Sequence, residues 1–91
     1  MRVEGGVARF EGDLVLDNAT RLLAEGEAAL DAGARAFDLS GVGNMDSSAL
    51  SLILSLRRRG APTSTGKAIE FRGVPESLVS LATLYGIADQ I

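Results

Sequence analysis

The chain has 91 residues, 46% of them hydrophobic and 23% charged, the proportions of an ordinary folded domain with one core. It contains no Cys, His or Trp, so thiolate and imidazole catalysis and the usual zinc ligand sets are excluded. A net charge of −3 and a pI near 4.8 oppose nucleic acid, whose binders need a basic footprint, and oppose electrostatic attachment to a membrane.

In chain order, Met1-Arg2-Val3-Glu4 shows no signal-peptide pattern, and a cytoplasmic protein is expected. Gly5-Gly6 suits a tight hairpin turn from residues 1–4 into residues 7–11, where Ala8 and Phe10 alternate with Arg9 and Glu11 as in a half-buried strand. Asp17-Asn18 offers N-cap oxygens to a first helix whose Ala19, Leu22, Leu23, Gly26 and Leu30 recur at helical spacing until Gly33. Glu25, Glu27 and Asp31 read as its solvated face. A short strand is predicted over residues 35–39 and a second helix from Ser47 to about Arg59, stopped by Gly60 and Pro62. Thr63-Ser64-Thr65-Gly66 reads as a polar loop, and residues 68–72 as a strand in which Ile69 and Phe71 alternate with Glu70 and Arg72. A last helix is expected to start at Pro75, carry Leu78, Leu81, Ala82 and Tyr85, and end at Gly86. Helical crossovers between the later strands favour parallel pairing, which makes the fold class α/β: a mixed four-stranded sheet with three main helices packed against it, in one domain over 1–91.

The chemically distinctive segment is Asp38-Leu39-Ser40-Gly41-Val42-Gly43-Asn44-Met45-Asp46-Ser47-Ser48-Ala49-Leu50. Gly41 and Gly43 are expected to make a sharp turn, and Asp46 to cap the second helix by accepting from its first free amides. Ser47 and Ser48 then fall in the first turn, where free N–H groups and the helix dipole would favour a phosphoryl group, although from chemistry alone plain capping is the preferred account, because serines near helix starts are common. Further along, Ser48, Ser51 and Ser55 form one stripe with Arg58 nearby, opposite Ala49, Leu50, Leu52, Ile53, Leu54 and Leu56. Small side chains there would let a partner approach closely. The candidate partner-binding residues are Asn44, Met45, Asp46, Ser47, Ser48, Ser51, Ser55 and Arg58, with Ser48 and Ser47 as possible phosphorylation sites. Arg57-Arg58-Arg59 complements the helix dipole, and no carboxylate pair or P-loop suggests an enzyme or a cofactor.

Asp38-Leu39-Ser40-Gly41-Val42 followed by Met45-Asp46-Ser47-Ser48-Ala49-Leu50 resembles the signature of STAS domains, the family of anti-sigma factor antagonists. Gly12-Asp13-Leu14 looks like the family's turn after its second strand, with Val15 where an acidic residue is common. The run from Phe71-Arg72-Gly73-Val74-Pro75 to Leu84-Tyr85-Gly86 is most similar to the branch that supplies the small subunit of Mla-type phospholipid-transport ABC complexes. This resemblance implies the STAS fold, no activity of its own, and docking on the ABC-transporter ATPase subunit, with the membrane reached only through that complex. The alternative it implies is an antagonist regulated by an anti-sigma factor kinase. Ser48 aligns with the phosphorylated serine of the antagonists and Ser47 with the hydroxyl residue presented to the ATPase.

Overall fold

The computed structural model describes residues 1–60 and 69–90, so the expected loop at 63–66 and the start of the last strand at Ala68 lie outside the described residues. Among the described residues, four strands and three helices follow in the order β1 (Val3–Glu4), β2 (Val7–Leu14), α1 (Leu16–Asp31), β3 (Ala36–Met45), α2 (Ser48–Arg59), β4 (Glu70–Arg72) and α3 (Glu76–Leu84), with a 3-10 turn at Ala88–Gln90 after them. The sheet order is β1-β2-β3-β4; β1 runs antiparallel to β2, and β2, β3 and β4 run parallel. Each parallel step is crossed by a helix, as the alternation of elements requires.

Side-chain alternation divides the sheet into two faces. Ala8, Phe10, Phe37 and Leu39 point into a core shared with Leu22 and Ala29 of α1, Leu52, Ile53 and Leu56 of α2, and Leu78 and Ala82 of α3. Phe37 sits at its centre, its ring stacked 5.5 Å from Phe10 and 5.9 Å from Phe71. Helices α1 and α2 come together over Gly26, where a Cβ would meet the Leu56 methyls at 2.9 Å. The other face is open and carries Arg9, Glu11, Glu70 and Arg72.

Strands β2 and β3 run further than sequence patterning suggests. Residues 41–45, expected to form a turn, continue β3 alongside β2 through the pairs Glu11↔Gly41, Gly12↔Val42 and Leu14↔Met45, with register shifts on either side of Glu11 and Gly12. The glycines here answer to space: a Cβ on Gly41 would lie 2.9 Å from the Phe10 carbonyl oxygen, and one on Gly43 2.8 Å from Asp13 Oδ1. Gly12-Asp13-Leu14 is likewise strand and not a turn after it.

Helix ends show a similar mixture. Helix α1 starts at Leu16, with Val15 at its N-cap, so Asp17 and Asn18 lie inside the first turn and not before it. Pro75 occupies the N-cap of α3, one position before the expected first turn. Of the three predicted glycine stops, Gly60 ends α2 at φ −91, and the other two hold in the left-handed region, with Gly33 at φ 101 and Gly86 at φ 72. At each of these two, two amides after the helix turn back to its last carbonyls, Gly33 to Leu30 and Ala34 to Ala29, Gly86 to Thr83 and Ile87 to Ala82.

Candidate functional site

The parallel strands β2 and β3 end side by side, which brings the start of α1 next to the start of α2. Val15 has no side-chain oxygen with which to cap α1. That role falls to Asp46, thirty residues on, whose Oδ2 accepts from the Leu16 N–H at 3.1 Å. Its Oδ1 accepts from the Ser48 N–H at 2.8 Å. One carboxylate therefore caps two helices, a stronger role than the single cap the sequence implies. The Leu16 amide, then the Ser48 amide, with a further contribution from the Ser48 hydroxyl, hold the Asp46 carboxyl below the ordinary aspartate value against partial desolvation. Beside it, Asp13 Oδ1 accepts from the Asn44 N–H at 2.9 Å and ties the last residues of β2 to those of β3.

The two serines are placed differently by this arrangement. Ser48 is half-buried and its hydroxyl is engaged by Asp46. Ser47, at the N-cap of α2, is exposed and makes no side-chain capping bond. Along the helix, Ser51 is exposed and Ser55 half-buried. They do not form a flat solvent stripe, because α2 rises between two grooves. One, of about 220 Å³, runs along α1 and is lined by Leu16, Ala19, Leu23, Ser48, Ser51 and Ser55 among others. The second, of about 380 Å³, is bounded by Ser47, Leu50, Ser51 and Leu54 on α2 and by Tyr85 and Ile87 beyond α3. Ser51 lines both.

Of the expected partner-binding set, Asn44, Met45, Asp46, Ser47 and Ser48 converge at the start of α2, and Met45 Sδ there accepts from Ser77 Oγ at 3.7 Å. Ser51 and Ser55 continue the ridge. Arg58 is exposed but stands at the opposite end, about 16 Å from Ser47 along the axis at 1.5 Å per residue. Its neighbours are engaged elsewhere: Arg57 lies 5.8 Å from the Phe71 ring centre, and Arg59 bridges to Glu27 at 3.4 Å and Asp31 at 2.9 Å on α1. Glu27 and Asp31 thus belong to an interhelical ion network and not to a merely solvated face.

Sequence reasoning overlooked the apolar rims of the grooves. Leu16 on the first groove is 73% exposed and Tyr85 on the second 59%, with Leu84 next to Tyr85 in the chain at 77%, unusual values for large apolar side chains. A signal was present in Leu84-Tyr85, which stands immediately before a glycine stop, where a helix end commonly carries polar residues.

An α/β domain of this strand order, with its serine-bearing helix start at the ends of the parallel strands, is a STAS-type domain. The family model described as "Mlab, STAS domain" matches residues 2–91, and the chain belongs to that family. No curated protein matches the chain.

Proposed function

We propose that the protein is the accessory subunit of an Mla-type ABC phospholipid transporter, which it supports by docking α2 onto the ATPase. The observation that carries this reading is Ser47: exposed, free of capping duty, and at the head of a ridge between two apolar-rimmed grooves, in a chain whose family match is of the MlaB type. A cytoplasmic position beside the inner membrane follows from the same reading; among the described residues no helix is long and apolar enough to cross a membrane. The protein acts without chemistry of its own, which accords with a sequence lacking His and Cys.

The regulatory alternative, an antagonist switched by a kinase at Ser48, is less well supported by the local geometry. A phosphate brings roughly −1.5 to −2 charges, and on Ser48 it would be placed against the Asp46 carboxylate that caps both helices. Reconstitution separates the two readings. The expected result is a stable complex with the ATPase subunit that raises its turnover, while the isolated domain shows no heat of ATP binding by calorimetry. Stoichiometric ATP binding by the domain alone, or a complex only with a serine kinase, would overturn the transporter reading.

A further inference from the structure

Charge is distributed unevenly around the docking ridge. Residues 10–20, 36–56 and 73–91 contain no Lys or Arg, and these segments supply the ends of β2 and β3, the starts of α1 and α2, and all of α3. Acids away from the ridge are matched by cations: Glu4, Glu11, Glu25, Glu27, Asp31 and Glu70 all sit in ion pairs, and Asp38, on the open sheet face, lies between Arg9 and Arg72. Besides Asp38, which its two flanking arginines reach by no ion pair, the acids among the described residues that form none are Asp13, Asp17, Asp46, Glu76 and Asp89. The first four lie at or just beyond the ends of the parallel strands. Asp17 follows Leu16 on the rim of the first groove, Glu76 precedes the Ser77 that reaches Met45, and Asp89 follows Ile87 of the second groove.

From this juxtaposition of apolar grooves and carboxylates that no Lys or Arg of the described residues pairs, we infer that the occupant of the ridge is a protein surface whose apolar contacts are ringed by Arg and Lys. The identity of that surface as the ATPase rests on the function proposed above; its cationic character rests on the charge pattern. Complementary charge of this kind steers encounter and fixes register more than it adds affinity. It also opposes two other occupants, since a second copy would bring the same acids face to face and an anionic lipid headgroup would be repelled.

The test is the kinetics of association between the full chain and the ATPase subunit, followed by interferometry. Raising NaCl from about 30 to about 300 mM shortens the Debye length several-fold, and the association rate constant is expected to fall about tenfold, with little change in dissociation. Asp17→Lys and Glu76→Lys should each slow association several-fold and flatten that salt dependence. Asp17→Asn and Glu76→Gln should do so more weakly, which covers the case in which a lysine disturbs a helix start. Glu70→Lys, on the open sheet face, should leave association unchanged. If salt and these substitutions have no effect while Ser47→Arg still abolishes binding, the cationic ring is wrong and the docking face stands. If Ser47→Arg also binds like wild type, both fall. Dimerisation of the isolated chain in sedimentation, removed by Ser47→Arg, would assign the face to a second copy and overturn the inference.

Discussion

The open face of the sheet and the face crowned by α2 are both in contact with solvent, yet they are built on opposite rules. On the sheet, exposed charges are paired across and along strands: Arg9 and Arg72 flank Asp38 in register, Arg72 reaches Glu70 at 3.1 Å, and Arg2 reaches Glu4 at 2.8 Å. On α2, charges are absent until Arg57, and the ridge carries hydroxyls between apolar rims. A face whose charges are already matched has little to offer a partner. A face of small side chains, bordered by exposed Leu16 and Tyr85, has apolar surface still to bury. The difference teaches that exposure alone does not mark an interface; what matters is whether the exposed groups have already found partners within the chain.

This contrast can be broken most sharply at Ser47. Ser47→Arg should weaken the proposed complex with an ATPase subunit by about 2 kcal/mol or more, the scale of an interface hot spot, and leave the Tm of the isolated domain nearly unchanged, because no capping bond is lost. Isothermal titration alongside thermal melts checks both halves. The reverse pattern is expected at Gly41 on the sheet, where an added Cβ would meet the Phe10 carbonyl at 2.9 Å and Arg9 Nε at 3.0 Å. Gly41→Ala should cost about 1–3 kcal/mol of stability in urea unfolding, as overpacking does, with binding intact. A silent Gly41→Ala would restore the flexible turn that the sequence suggests there.

A smaller effect is expected from acid. Asp46 and Asp38 both have carboxyls held below the ordinary aspartate value of 3.8, Asp46 by the amides of Leu16 and Ser48 and Asp38 chiefly by that of Ser40. Because the folded values are the lower ones, their contribution is fully present above pH ~3.8 and is lost as pH falls through the folded values. Denaturant midpoints should therefore drop between pH 5 and pH 2.5, and Asp46→Asn should lower the midpoint at pH 7 and flatten the acid slope. An unchanged slope would mean that Asp46 does not cap the two helices through its charge. Least of all is expected from Arg72→Gln, which removes an exposed ion pair worth about 0–1 kcal/mol and should leave binding to the ATPase as it was. Glu27→Arg, though also remote from the ridge, is a poor control, because it would set a second cation against Arg59.

The order of elements, the sidedness of the sheet and the glycine stops were legible in the sequence, because each depends on local periodicity or on one residue's permitted dihedrals. Phe10 is buried because it alternates with Arg9 and Glu11, and Gly33 ends α1 because its positive φ suits glycine. The patch from Asn44 to Ser48 was legible as a constellation, since its residues are consecutive. What only the tertiary structure decided were the relations between segments far apart in the chain. Residues 41–45 became strand because β2 lay alongside with unpaired backbone groups, and their glycines were needed for close approach to Phe10 and Asp13. The start of α1 moved to Leu16 because a carboxylate from beyond β3 was there to cap it. Tyr85 and Ile87 were brought up to α2 by the packing of α3. Local rules state what each segment can form; which backbone amide meets which carboxylate is settled only when the strands pair.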